Sequence, residues 1–100
     1  MELRVIACNP LPLDIRGDES FVAWSTHALM ILREQARASY AFVVRYLAIV
    51  EEVESPISHV ILEERPTRFR VSKEARTVYE WSVEWYASAL VHEANNLRLY

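Results

Sequence analysis

From Ser72 to Tyr100 neither glycine nor proline interrupts the chain, and this one feature limits the fold more than any other. Ser72 is a suitable helix N-cap, because a short side-chain oxygen can accept from the free amides of the first turn, and Glu74 places negative charge there. At a rise of about 1.5 Å per residue, one helix over this stretch would approach about 40 Å. That length matches or exceeds the diameter expected of a domain this small. Either the helix breaks, or another chain covers part of its apolar surface. Val78, Trp81, Val83, Trp85, Tyr86, Leu90 and Leu97 spread over several of its faces, which favours a homo-oligomer.

The rest of the chain is expected to supply scaffold. One hundred residues suit a single domain, and 52% apolar with 25% charged residues allows a substantial core. Trp24, Trp81 and Trp85 are expected to be the largest members of that core. A net charge of −3, with Arg65, Arg68 and Arg70 as the only local basic cluster, provides no broad positive field for phosphates. Nucleic acid is therefore not an expected partner. Cys8 is alone, so no intrachain disulfide forms and its expected role is a buried, inert thiol. A nucleophilic cysteine enzyme has no support in the spacing of Cys8 and the three histidines. The N-terminus lacks the apolar run of a signal peptide, and no apolar run approaches the length of a membrane span. A cytoplasmic protein without a membrane partner is the expectation.

In chain order, residues 2 to 8 read as a strand, from their Val and Ile content and Pro-rich ending. Residues 9 to 18 hold two of the four prolines and the only glycine, so they read as a loop ending at a helix start. Asp18 or Ser20 can cap that helix, in which Phe21, Trp24, Ala28, Ile31 and Leu32 form one face. His27 falls beside this face and reads as a structural histidine, with a ligand role as the alternative. A turn is expected between Arg33 and Ser39, with Ser39 as the next cap. From Tyr40 onward Val43, Leu47 and Val50 lie on one stripe, predicting a helix that runs to about Ser55 and stops before Pro56. Glu51, Glu52 and Glu54 would then be a solvated helix end, and the alternative of a hard-cation site lacks the usual Gly-bearing loop. His59 to Glu64 and Thr67 to Ser72 read as strands joined around Arg65-Pro66, with Arg68 and Arg70 on an exposed face. The fold class is accordingly α+β and mostly helical. About three helices, the last one long, would accompany a small sheet of two to three strands.

One motif carries chemistry. Residues four apart share a helix face, so two histidines at that spacing can hold one metal ion, and the glutamate after the first can take a proton from metal-bound water. His92, Glu93 and position 96 have this spacing, but position 96 is asparagine. Its carbonyl is a neutral oxygen donor better suited to hard cations than to zinc.

The run Trp85-Tyr-Ala-Ser-Ala-Leu-Val-His92-Glu93-Ala94, leading to Leu97-Arg-Leu-Tyr100, resembles the motif helix of zincin-type metallopeptidases with a His-Glu/Asp-x-x-His core. Arg65-Pro-Thr-Arg-Phe-Arg-Val71 and the segment from Tyr40 to Ile49 are also similar to small bacterial proteins of this type. The specific part is the run around His92. The resemblance implies His92 as a first zinc ligand, Glu93 as the general base and a peptide or protein substrate. Asn96 stands at the second metal-ligand position, and a third ligand, normally from beyond this helix, has no clear source, although His27 or His59 could fold back. The implied function is a metallopeptidase-like domain that is inactive or incomplete in this form, with no zinc expected on this chain. The alternative is a non-enzymatic, oligomerising interaction module.

Overall fold

The computed structural model describes residues 12–100. The strand expected over residues 2 to 8, and Cys8 with it, lie outside the described residues. The elements are β1 (Asp14–Arg16), α1 (Glu19–Gln35), α2 (Arg37–Tyr46), β2 (Ile49–Val53), β3 (His59–Val60), β4 (Arg68–Ser72), α3 (Lys73–Val78) and α4 (Val83–Leu99). The α+β, mostly helical class expected from the sequence holds, with four helices and a four-stranded sheet among the described residues. None of these helices is long and apolar enough to cross a membrane.

Helix α1 starts where its cap predicts. Asp18 accepts from the Phe21 amide at 2.8 Å, and Glu19 adds negative charge at the positive end of the dipole. Phe21, Ser25, Ala28, Leu29 and Leu32 are buried at helical spacing. Gly17, just before the cap, does not use a positive φ. A Cβ there would lie 2.6 Å from the Phe21 ring and 3.2 Å from Cβ of Glu52, so glycine is needed for the close approach of β1 to its neighbours. The expected loop over residues 9 to 18 is corrected in part, since Asp14–Arg16 form a short edge strand.

The expected turn falls at Ala36, which precedes α2 without a side-chain cap, rather than at Ser39. The helix predicted to reach Ser55 ends at Tyr46. Thr67 decides this from across the sheet: its hydroxyl donates to the Tyr46 carbonyl at 2.7 Å and accepts from the Ala48 amide at 3.0 Å. Leu47 is already extended, and Ile49 donates to the Thr67 carbonyl at 3.0 Å. The β-branched residues of Ile49–Val53 then pair on both sides, an arrangement that suits their stiff side chains.

The sheet order is β1-β2-β4-β3, with β1, β2 and β4 parallel and β3 antiparallel to β4. Ile15, Val50, Phe69 and Val60 stand side by side across all four strands and form the inner row. Helices α1, α2 and α4 cover this side, and α4 packs against both others through Tyr86, Ala87, Leu90, Ala94 and Leu97. At about 25 cal/mol per Å² of apolar area, burying each large aliphatic side chain here contributes roughly 1.5–3 kcal/mol before entropy is counted. The other side of the sheet carries charges. Arg68 bonds Glu51 at 2.8 Å, and Arg70 holds Glu64 through two bonds of 2.8 Å. The sequence reading of Glu51 and Glu52 as a solvated helix end is thereby corrected: both lie on a strand and are ion-paired.

The long terminal stretch breaks. Ser72 caps α3 as expected, accepting from the Ala75 amide at 2.9 Å, and it also donates to the Ser55 carbonyl at 2.6 Å. After Val78 the chain turns through Glu80, whose φ of 51° is left-handed for a non-glycine residue. Ser82 then caps α4, accepting from the Trp85 amide at 3.0 Å. The 17 residues of α4 span roughly 25 Å, so the helix fits the body it crosses.

Candidate functional site

The break between α3 and α4 forms one wall of an open groove of about 840 Å³. Tyr79, Glu80 and Trp81 come from the break, and Pro56 to Ser58 supply the facing lip from the β2–β3 turn. The long side is one face of α4, carrying Trp85, Ser88, Ala89, His92 and Glu93. Helical spacing explains the set. Positions 88 and 89 lie three and four residues after 85 and four and three before 92, while Tyr86, Leu90, Ala94 and Leu97 take the core face about 100° away.

This division corrects the expected core. The three tryptophans are not its largest members: Trp85 is 52% exposed, Trp24 and Trp81 are half-buried, and Tyr86, Phe21 and Phe69 are the bulkiest buried side chains. The rings form a connected ladder. Trp24 stacks on Tyr86 with centroids 4.0 Å apart, and Trp81 meets Trp85 at 4.3 Å where the ladder reaches the groove. Arg76 lies over Trp24 at 4.8 Å from the ring centroid and over Phe21 at 5.6 Å. The same arginine is bonded to Glu52 at 2.6 Å.

His92 and Glu93 therefore line one groove, His92 exposed and Glu93 half-buried. Asn96 does not line it. Its amide donates to Oε1 of Glu93 at 3.3 Å, so the side chain at the second metal-ligand position is directed at the carboxylate. His27 is exposed on α1, and His59 pairs with Arg70 across β3 and β4. Among the described residues no three His, Cys, Asp or Glu side chains gather into a metal-binding group. One imidazole, one carboxylate and a primary amide do not make a zinc donor set, which requires three nitrogen, sulfur or carboxylate ligands besides water. The residues present do not fit the metal, and no metal-dependent step follows from them.

Two carboxylates, Glu80 and Glu93, stand in the groove lining, and among the described residues no lysine or arginine does. Sequence reasoning found His92 and Glu93 but missed Ile57, Tyr79 and the groove role of Trp85. The signal for Trp85 was its position next to Tyr86, since neighbours on a helix cannot both face the same core.

Compared with protein-family models, with curated proteins and with solved structures, the chain matches none. The resemblance to zincin-type metallopeptidases therefore rests on the residues around His92 and Glu93.

Proposed function

We propose that this chain is a metallopeptidase-like domain, catalytically incomplete, whose groove binds an extended peptide without cleaving it. The observation that carries this reading is the joint position of His92 and Glu93 on the wall of an apolar groove. In a hydrolase of the resembled type, a histidine and the following glutamate would face the substrate cleft. Here the amide of Asn96 holds the carboxylate, and the donor set lacks a second histidine. Exposed Ile57, Tyr79 and Trp85 supply apolar contact area for a peptide.

Elemental analysis of zinc in the wild-type chain and in Asn96→His tests the ancestry. The expected outcome is little zinc on the wild type and a measurable gain in the variant, with Glu93→Gln leaving that gain in place. If Asn96→His takes up no more zinc than the wild type, and a version extended past Tyr100 also fails to, the metallopeptidase relation fails for this chain. Tryptophan fluorescence titrated with a mixed peptide library tests binding, because Trp85 lines the groove.

A second reading is favoured by the 64%, 76% and 52% exposure of Ile57, Tyr79 and Trp85 around one groove. In it the groove is the interface of a homo-oligomer. Light scattering over a dilution series decides between them: a monomer at every concentration removes the oligomer.

A further inference from the structure

We propose that the groove selects peptides through an arginine side chain, whose guanidinium lies against the Trp81–Trp85 end of the aromatic ladder between Glu80 and Glu93. This deepens the peptide-binding reading above and rests on it.

Charge complementarity commits the occupant. The groove is lined by two carboxylates, by the rings of Tyr79, Trp81 and Trp85 with the buried Phe69 beneath, and, among the described residues, by no lysine or arginine. An aromatic ring presents a negative face that attracts a cation, most strongly for tryptophan, and a neighbouring carboxylate adds to the attraction. An acidic or phosphorylated peptide would meet two like charges. A purely apolar peptide would bring no countercharge to Glu80 and Glu93.

The same ladder already shows the pairing at its inner end. Arg76 sits over Trp24 at 4.8 Å while bonding Glu52, so one guanidinium is held between a tryptophan face and a carboxylate. At the outer end the rings of Trp81 and Trp85 and the carboxylates of Glu80 and Glu93 repeat these components, open to solvent. A planar guanidinium stacks on such a face and offers its edge to a carboxylate, which a lysine ammonium cannot do in the same way. The apolar residues flanking the arginine would rest on Ile57 and Ala89, both in the lining.

The test compares two blocked peptides, acetyl-Leu-Arg-Leu-amide and its citrulline counterpart, which keeps the shape and removes the charge. Binding to the full chain is measured by calorimetry and by tryptophan fluorescence at low salt. The arginine peptide is expected to bind roughly five- to tenfold more tightly, the range of an exposed cation–π contact assisted by a carboxylate. The Glu80→Gln/Glu93→Gln double variant should keep only the smaller, cation–π part of that preference while still binding both peptides, and Trp85→Ala should weaken both. Equal affinity of the two peptides for the wild type overturns the arginine preference and leaves peptide binding standing. Failure of these and of the library peptides to bind removes both. The comparison on the wild type requires no variant, so misfolding of a variant cannot obscure it.

Discussion

The hydroxyls of Ser25 and Tyr86 lie 2.8 Å apart in the core and join α1 to α4 by the one side-chain hydrogen bond that bridges these helices among the described residues. Both residues are almost fully buried, and burial raises the Tyr86 phenol well above its ordinary value of 10.0, with the Ser25 bond opposing the shift. Tyr86→Phe is expected to cost about 1–2 kcal/mol, because it leaves the serine hydroxyl without a partner. Ser25→Ala should cost a similar amount, and the double variant less than the sum, since no orphan remains. The raised phenol also makes stability pH-dependent. The contribution is complete below the unfolded value near 10.0 and falls as pH rises beyond it. Denaturant unfolding of wild type and Tyr86→Phe at neutral and alkaline pH checks both points: the variant should lose less stability on going alkaline. Equal losses would mean that Tyr86 titrates normally.

The Glu64–Arg70 pair predicts acid sensitivity. Two bonds from the Arg70 guanidinium, each 2.8 Å, hold the Glu64 carboxyl below its ordinary value of 4.5. A lowered carboxylate contributes stability that is complete above the unfolded value and is lost as pH falls through the folded one. Asp18 acts in the same sense, lowered first by the Phe21 amide and then by Ser20. Glu64→Gln should therefore lower the unfolding midpoint at neutral pH and flatten its decline below about pH 4.5. A midpoint that falls as steeply in the variant as in the wild type would assign the acid sensitivity elsewhere.

These relationships differ in how far the sequence disclosed them. Asp18 as a cap, the buried face of α1, the alternation of Phe69 and Val71 against Arg68 and Arg70, and the cap at Ser72 are local patterns and were legible. The end of α2 was not. Val43, Leu47 and Val50 fit a helical stripe as well as the observed helix-to-strand change does. Thr67 resolves the ambiguity from some twenty positions away in sequence, bonding both Tyr46 and Ala48. Pairing of that kind leaves no periodic trace. The turn at Glu80 had no glycine to announce it, although Ser82 is a cap in plain view. At the site, the His92–Glu93 spacing was legible and both residues do share a groove. The bond from Asn96 to Glu93 joins residues three apart on one helix and was open to the same spacing argument, whereas the exposure of Trp85 depended on how α4 is rotated against α1 and α2. That rotation is set by Tyr86, Leu90, Ala94 and Leu97 together.

The pair formed by Glu52 and Arg76 gives the largest expected effect. Glu52 lies beside Val71 on the inner face of the sheet, and its side chain is only 8% exposed; that of Arg76 is 17% exposed. The guanidinium reaches Oε2 of Glu52 at 2.6 Å through Nη2 and at 3.1 Å through Nε. Removing the cation alone leaves a carboxylate in poorly hydrated surroundings and strips the cover from Trp24 and Phe21. Arg76→Met should therefore destabilise by about 3 kcal/mol. Replacing both partners, as Glu52→Leu with Arg76→Met, should recover most of this loss, because two desolvated charges are exchanged for apolar packing. Urea unfolding of the two single variants and the double variant completes the cycle. A change below about 0.5 kcal/mol for Arg76→Met would show that the carboxylate keeps its hydration without the arginine. The recovery in the double variant distinguishes the charge from the cover it provides: if the stacking of Arg76 on Trp24 dominated, removing Glu52 as well would restore nothing.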